Sequence, residues 1–170
     1  MQDTPTYYTQ ILASLIISAN FLGMTNTSTQ YSGEFVLTKS GNIDFGEIPE
    51  DIAKTIKRQA GKIRLRIGKQ DESSKENYGE AHIERTARLK DLQAAGFNNA
   101  RDFVEYVCSD YDAIYPNRSG LIVFRRGPRF NTAYVQLVPS IDGDFYDVKT
   151  VVSSSRNVVK NKTPLWKKAQ

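Results

Sequence analysis

The stretch "GLIVFRRGPRFNTAYVQLVPSIDGDFYDVKTVV", residues 120–152, decides the fold. It predicts three strands, "GLIVF", "TAYVQLV" and "FYDVKTVV", which are separated by the turns "RRGPR" and "PSIDGD". The second strand alternates polar and apolar residues, and this period of two is typical of a strand. The Asp-Gly pair in the second turn is a hairpin signal. The last third of the chain therefore predicts an antiparallel meander.

Helical patterns come before this meander. Each has either apolar residues at helical spacing or residues typical of helix ends. The three segments are residues 49–59, 80–95 and 99–114. Asn99 is the predicted N-cap of the last of them, with Asp102 three residues on. A strand with one basic face is predicted at "KIRLRIG", residues 62–68. Helices followed by a meander indicate an α+β fold.

Charge is distributed unevenly along the 170 residues, whose net charge is +4. Residues 54–69 hold seven Lys and Arg side chains without an acid, and residues 154–170 hold five without an acid. Such segments either form one patch that binds a phosphate backbone or are two separate solvated surfaces. The sequence leaves both possibilities open.

The N-terminal segment "ILASLIISANFLGM" is apolar, but it is shorter than the ~20 residues that a membrane span needs. The flank before it has no basic residue, so a signal peptide is not expected. We predict a helix over residues 5–22 that is buried or packs on a protein partner. The chain then divides into a helical extension with a linker, residues 1–30, and an α+β domain, residues 31–170.

Cysteine and histidine counts limit the chemistry. With one cysteine and one histidine, no disulfide within the chain and no metal site are expected. A reducing compartment, the cytoplasm, fits this composition. No phosphate-binding loop, nucleophile elbow or metal-binding helix occurs, so we expect no cofactor.

Several segments occur in a recognisable order: "KSGNIDFGEI" (39–48), "GKIRLRIG" (61–68), "GEAHIE" (79–84), "GFNNARDFVEYV" (96–107), "YDVKT" (146–150) and "TPLW" (163–166). In this order the chain resembles the phage-borne nucleases of the barnase, EndoU, colicin and RelE-like superfamily, which occur in polyvalent phage and mobile-element proteins. The resemblance implies N-terminal helices packed on a four- to five-stranded antiparallel sheet. It also implies metal-independent RNA cleavage through the 2′-hydroxyl of the RNA, in the host cell cytoplasm for a phage-encoded protein.

That reaction needs a base, an acid and groups that hold negative charge. His82 matches the histidine of the family's "G-x-x-H-I" pattern and is the first catalytic candidate, since its pKa lies near neutrality. Where relatives often carry a second histidine, this chain has Thr86. The second proton role is left open between Glu80, Glu84, Tyr146 and a lysine, and a solvated His82 without a role remains the alternative.

The other candidates would hold phosphate. Arg125 follows the first strand of the meander, and Thr150 lies where relatives place a hydroxyl residue; an ordinary charged hairpin and a plain strand residue are the alternatives. Together with His82 and Glu84 they form the predicted catalytic set. The predicted nucleic-acid-binding residues are basic side chains near the turns, the basic strand and the tail: Arg64, Arg66, Arg85, Arg126, Arg129, Lys167 and Lys168.

Three functions remain open. The first is an endoribonuclease that acts as a toxin or a phage effector on RNA. The second is an inactive member of the same fold that inhibits a host or defence protein, with the N-terminal apolar helix as its docking element. The third is a basic RNA-binding module. Trp166 either stacks on a base or anchors the tail on the core.

Overall fold

The computed structural model describes residues 31–71, 73 and 77–169. Its strands are β1 (Tyr31–Ser32), β2 (Phe35–Val36), β3 (Asp44–Ile48), β4 (Gly61–Arg64), β5 (Ala113–Asn117), β6 (Gly120–Arg126), β7 (Phe130–Val138), β8 (Phe145–Ser154) and β9 (Trp166–Lys167). Its helices are α1 (Glu50–Ile56), α2 (Gly79–Ile83), α3 (Thr86–Ala94) and α4 (Ala100–Ser109). The N-terminal extension predicted over residues 1–30, with its apolar helix, lies outside the described residues.

The strands form two sheets. β1 and β2 pair with each other, and the remaining seven strands form a curled half-barrel in the order β3-β4-β8-β7-β6-β5-β9. β4 and β8 are parallel, whereas the other neighbouring pairs are antiparallel. The sheet is therefore mixed.

The predicted architecture is wrong in three respects. The main sheet has seven strands instead of four or five, it contains a parallel pair, and the helices do not all precede it. α1 lies between β3 and β4 in sequence, and α2 to α4 lie between β4 and β5. The parallel pair arises because the early strand β4 joins the far edge of the late meander, a long-range contact that no local pattern encodes.

The predicted meander is confirmed. β6 pairs with β7, where Leu121 lies opposite Val135, and β7 pairs with β8, where Thr132 lies opposite Val152. The chain reverses between β7 and β8 through a loop that contains Gly143 at a φ of +103°, a conformation that favours glycine.

The helix predictions are partly confirmed. The side chain of Asn99 accepts a hydrogen bond from the backbone N–H of Asp102 at 2.8 Å, so Asn99 caps α4 as predicted. However, α4 ends at Ser109, and Ile114 lies in β5 instead of on the helix. The helix predicted over residues 80–95 is two helices, α2 and α3.

Apolar side chains pack on both faces of the main sheet. The face that we call inner is covered by α4, whose Phe103 and Val107 are fully buried with Val151 of β8. The opposite face, which we call outer, carries a smaller cluster that includes Tyr115 and Phe124. Residues directly opposite each other in neighbouring strands share a face, so the register assigns each strand residue to one side.

Candidate active site around His82

α2 begins on the segment that follows β4. The backbone N–H groups of Glu80 and Ala81 donate to the carbonyls of Arg66 and Ile67 at 2.9 and 3.0 Å. These bonds satisfy donors that the first turn of a helix leaves without an intrahelical partner. The carbonyl of Tyr78 approaches so closely that a Cβ on Gly68 would lie 2.0 Å from it. The residue before His82 is thus tied directly to the end of the basic strand.

The loop before α2 brings a polar side chain to His82. Lys69 and Tyr78 exchange backbone hydrogen bonds of 3.1 and 3.3 Å, which close this loop. Gln70 follows Lys69, and its Oε1 lies 2.9 Å from Nδ1 of His82. An amide oxygen only accepts, so Nδ1 carries the proton and donates it. Nε2 then keeps its lone pair and can act as a base.

The surroundings of His82 favour the neutral imidazole. Burial lowers the pKa of His82 from its ordinary value of 6.5, and the positive charges of Arg85 and Arg88 lower this pKa further. The side chain of His82 is partly exposed. At neutral pH, His82 is therefore an accessible base without positive charge.

The two neighbouring arginines have different surroundings. Arg88 donates from Nη1 to the carbonyl of Val151 and so fastens α3 to β8. Arg85 is exposed, and within the described residues its side chain makes no hydrogen bond or ion pair. Arg88 is not among the predicted site residues, although it follows Arg85 by three residues, the spacing of neighbours on a helix.

The side chains of two other predicted catalytic residues, Glu84 and Thr150, are engaged or buried within the fold. Glu84 accepts the backbone N–H of Ala100 through Oε1 at 2.8 Å and thus binds the first turn of α4. Thr150 lies opposite Tyr134 in the register, on the outer face. Its Oγ1 is buried and has no hydrogen-bond partner in the described part of the chain.

Arg125 lies on the inner face, opposite Asn131. It donates from Nη1 to the carbonyl of Tyr106 at 2.6 Å and from Nη2 to Asp110 at 3.2 Å. Its guanidinium also lies 4.1 Å from the centre of the Tyr106 ring. Arg125 and Thr150 therefore lie on opposite faces of the sheet and do not share one cleft.

The basic strand is largely neutralised by acids from elsewhere in the sequence. Arg64 pairs with Asp44 at 2.7 Å, and Arg66 pairs with Asp147 at 2.7 Å. Lys149 also donates to Oδ2 of Asp147, at 2.7 Å, although Asp147 is fully buried. Arg64 and Arg66, two of the predicted phosphate ligands, are thus paired with carboxylates.

The rings of Tyr78 and Trp166 pack against neighbouring groups. The guanidinium of Arg66 lies 4.2 Å from the centre of the Tyr78 ring, and Nζ of Lys149 lies 5.1 Å from it. Trp166 packs edge-on against Tyr111, with ring centres 5.5 Å apart, which supports its role as an anchor of the tail. No local pattern in the sequence indicates the cluster around Asp147 and Tyr78.

The remaining predicted nucleic-acid-binding residues lie near the β6–β7 turn and the C-terminal segment. Arg129 is held by the side chain and carbonyl of Ser153, at 3.1 and 3.3 Å. Arg126, Lys167 and Lys168, by contrast, line one cavity together with aromatic rings. The structure thus brings together three of the seven predicted residues.

Two absences hold for residues 31–71, 73 and 77–169. No group of three or more His, Cys, Asp or Glu side chains could hold a metal ion there. None of the helices in this part of the chain combines the length and the apolar character needed to cross a membrane.

The sequence and structure match no protein-family model, no curated protein and no solved structure.

Proposed function

We propose that this protein is a metal-independent endoribonuclease in which His82 is the general base. The observation that carries the proposal is the hydrogen bond from Nδ1 of His82 to Gln70, which leaves Nε2 free to accept a proton. Exposed Arg85, the residue directly before α3, supplies a planar cation suited to a phosphate.

The proposed step is a transphosphorylation. Nε2 of His82 removes the proton of the RNA 2′-hydroxyl, and the 2′-oxygen forms a bond to phosphorus. The bond from phosphorus to the 5′-oxygen breaks, and this oxygen takes a proton from water. We assign this role to water, since Glu84 holds α4, the Tyr146 hydroxyl donates to the carbonyl of Gln59 at 2.7 Å, and Glu80 is buried. Arg85 pairs with the negative charge that develops on the non-bridging oxygens of the phosphate.

The test is the single-turnover cleavage rate of a labelled RNA in EDTA. Replacing His82 by Gln should lower this rate by ~10²- to 10⁴-fold, the usual contribution of general acid–base catalysis. Arg85→Gln should also lower this rate, because the developing negative charge loses its cation. Arg118→Gln is the matched control for Arg85→Gln, because Arg118 is an exposed arginine in the β5–β6 turn. A His82→Gln protein that is folded and cleaves RNA at the wild-type rate would overturn the assignment.

A second variant tests the role of Gln70 in positioning and tuning the base. Gln70→Glu places a carboxylate on Nδ1 and should raise the pKa of His82. The acidic limb of the pH–rate profile should then move to higher pH. A profile that keeps its wild-type position would show that Gln70 does not act on the base.

An RNA-binding module without cleavage is the second candidate. It is favoured by the cavity in which Arg126 and Lys167 lie beside aromatic rings. Wild-type protein that binds RNA but leaves it intact would support this candidate over the nuclease. Docking through the N-terminal helix, the basis of the proposed protein inhibitor, concerns residues outside the described part of the chain.

A further inference from the structure

A cavity that His82 does not line lies on the outer face beside β5, β6 and the C-terminal segment. Its volume is about 690 Å³, which is within the range of about 300–1,000 Å³ typical of small-ligand pockets. Tyr115, Phe124 and Phe130 form an aromatic wall. Arg126 and Lys167 lie at the same cavity. It thus combines a surface for a planar ring with groups for a negative charge.

The aromatic wall is held in place by its own packing. Tyr115 and Phe124 meet edge-on with ring centres 5.9 Å apart, and Phe124 and Phe130 are stacked with centres 6.3 Å apart. Tyr115 and Phe124 are buried, whereas Phe130 is partly exposed. Phe130 is therefore the ring of this wall most open to a ligand.

The cations of the cavity differ in their freedom to bind an anion. Nζ of Lys168 is paired with Asp110 at 2.6 Å. The side chains of Arg126 and Lys167 are exposed and make no ion pair with any residue that the structure describes. The one carboxylate at the cavity, Asp112, accepts the backbone N–H of Arg126 at 2.7 Å. Arg126 and Lys167 thus have no carboxylate partner in the described part of the chain, and the guanidinium of Arg126 lies 6.0 Å from the centre of the Phe130 ring.

We infer that this cavity binds an unpaired nucleotide of an RNA strand, with the base against the Phe130 wall and the phosphate at Arg126 and Lys167. Base stacking on aromatic rings beside a basic groove is how single-stranded nucleic acids are bound without a fixed sequence. The inference rests on the proposed function in that the RNA would be its substrate. Binding at this cavity can nevertheless be tested independently of cleavage at His82.

The test measures binding of a 2′-O-methyl RNA octamer, which has no free 2′-hydroxyl and cannot be cleaved by the proposed step. Wild-type protein should bind it more tightly than the corresponding duplex. Phe130→Leu, which keeps apolar bulk but removes the ring, should weaken binding by roughly 5- to 100-fold. Arg126→Gln should weaken binding and reduce the salt dependence by about one phosphate contact, ~0.7 in the logarithmic slope. Arg118→Gln, at the opposite end of β6, is the matched control and should leave both unchanged.

Two outcomes would overturn the inference. The first is an octamer affinity that Phe130→Leu and Arg126→Gln leave unchanged while circular dichroism shows both variants folded. The second is a uridine monophosphate affinity equal to that of the octamer, which would assign the cavity to free nucleotides. Octamer binding that depends on both residues supports the inference whether or not the wild-type protein cleaves RNA.

Discussion

The protonation of His82 links its position in the fold to both stability and catalysis. Burial and two arginines hold its pKa below 6.5 in the folded state. The unfolded chain therefore binds the proton more tightly than the folded protein does. It follows that this residue favours folding above pH 6.5 and loses that contribution as the pH falls through its folded-state pKa.

We predict that replacing His82 by Gln makes the free energy of unfolding depend less on pH below pH 6.5. The free energy of unfolding of the wild type should fall more steeply from about pH 7 to about pH 5 than that of the variant. Urea unfolding of both proteins at several pH values measures this difference. Since His82 is the only histidine in the sequence, no other imidazole contributes. Profiles that run parallel would contradict the lowered pKa.

Asp147 and Asp110 are two carboxylates that each pair with two cations but differ in burial. Asp147 is fully buried with Arg66 and Lys149, whereas the Asp110 side chain is half exposed with Arg125 and Lys168. Removing one partner of a buried pair leaves a charge without compensation, but water screens an exposed pair.

We therefore expect Asp147→Asn to lower the free energy of unfolding by about 3–5 kcal/mol. Asp110→Asn, its matched control, should change stability very little. Chemical denaturation with a single transition for each variant gives both values. An equal loss in the free energy of unfolding for the two variants would show that burial does not determine how much each carboxylate stabilises the protein.

Residue-level prediction from sequence succeeded where the signal was local. The cap at Asn99 follows from adjacent residues. His82, by contrast, falls in the first turn of the helix predicted over residues 80–95 but lies in the last turn of the five-residue α2. The charge state of the basic strand could not be predicted in the same way. The acids that pair with Arg64 and Arg66 come from β3 and β8, 20 and 81 residues away in sequence.

At the scale of elements, the break between α2 and α3 matters most for the site. α2 ends at Ile83 and α3 begins at Thr86, so Glu84 turns away from a continuous helix and binds the start of α4. The sequence predicts one helix here, because no glycine or proline interrupts residues 80–95. The break is favoured by a tertiary hydrogen bond, which local patterns do not reveal.

Glu84 is accordingly predicted to stabilise α4. Glu84→Ala should lower the free energy of unfolding by about 1–2 kcal/mol, because the N–H of Ala100 loses a charged acceptor. Glu84→Gln keeps an oxygen at this position and should recover much of the loss. Thermal unfolding followed by circular dichroism compares the three proteins. A Gln variant as unstable as the Ala variant would argue against the hydrogen bond.

Among the strands that the sequence pattern did not predict, β5 and β9 have weak or misleading local signals. β5 contains Pro116, and its first residues continue the apolar helical spacing of α4, so the pattern there favoured a helix. β9 has only two residues and is held by its pairing with β5. Their place in the sheet follows from long-range pairing. The three strands of the meander, with strong alternation and turn signals, were predicted correctly.

At the scale of the whole molecule, the fold changes what the basic segments can do. Carboxylates from β3 and β8 pair with three of the seven cations in the run at residues 54–69. Arg126 and Lys167 remain unpaired within the described part of the chain and lie at the outer-face cavity. Net charge alone therefore did not locate the surface best suited to RNA. The proposed base, His82, thus lies on α2, and the proposed RNA-binding subsite lies on the outer face.

The most direct test of this account is the chemistry of the RNA ends left by wild-type protein in EDTA. We expect cleavage that yields a 2′,3′-cyclic phosphate, because in the proposed step the 2′-oxygen attacks phosphorus after His82 removes its proton. Mass spectrometry of the products of a short RNA identifies this end, and the same strand with 2′-deoxyribose should stay intact. RNA left uncut by folded protein from about pH 5 to pH 9, or cleavage that never forms a 2′,3′-cyclic phosphate, would overturn the proposal that His82 is the base of a metal-independent ribonuclease.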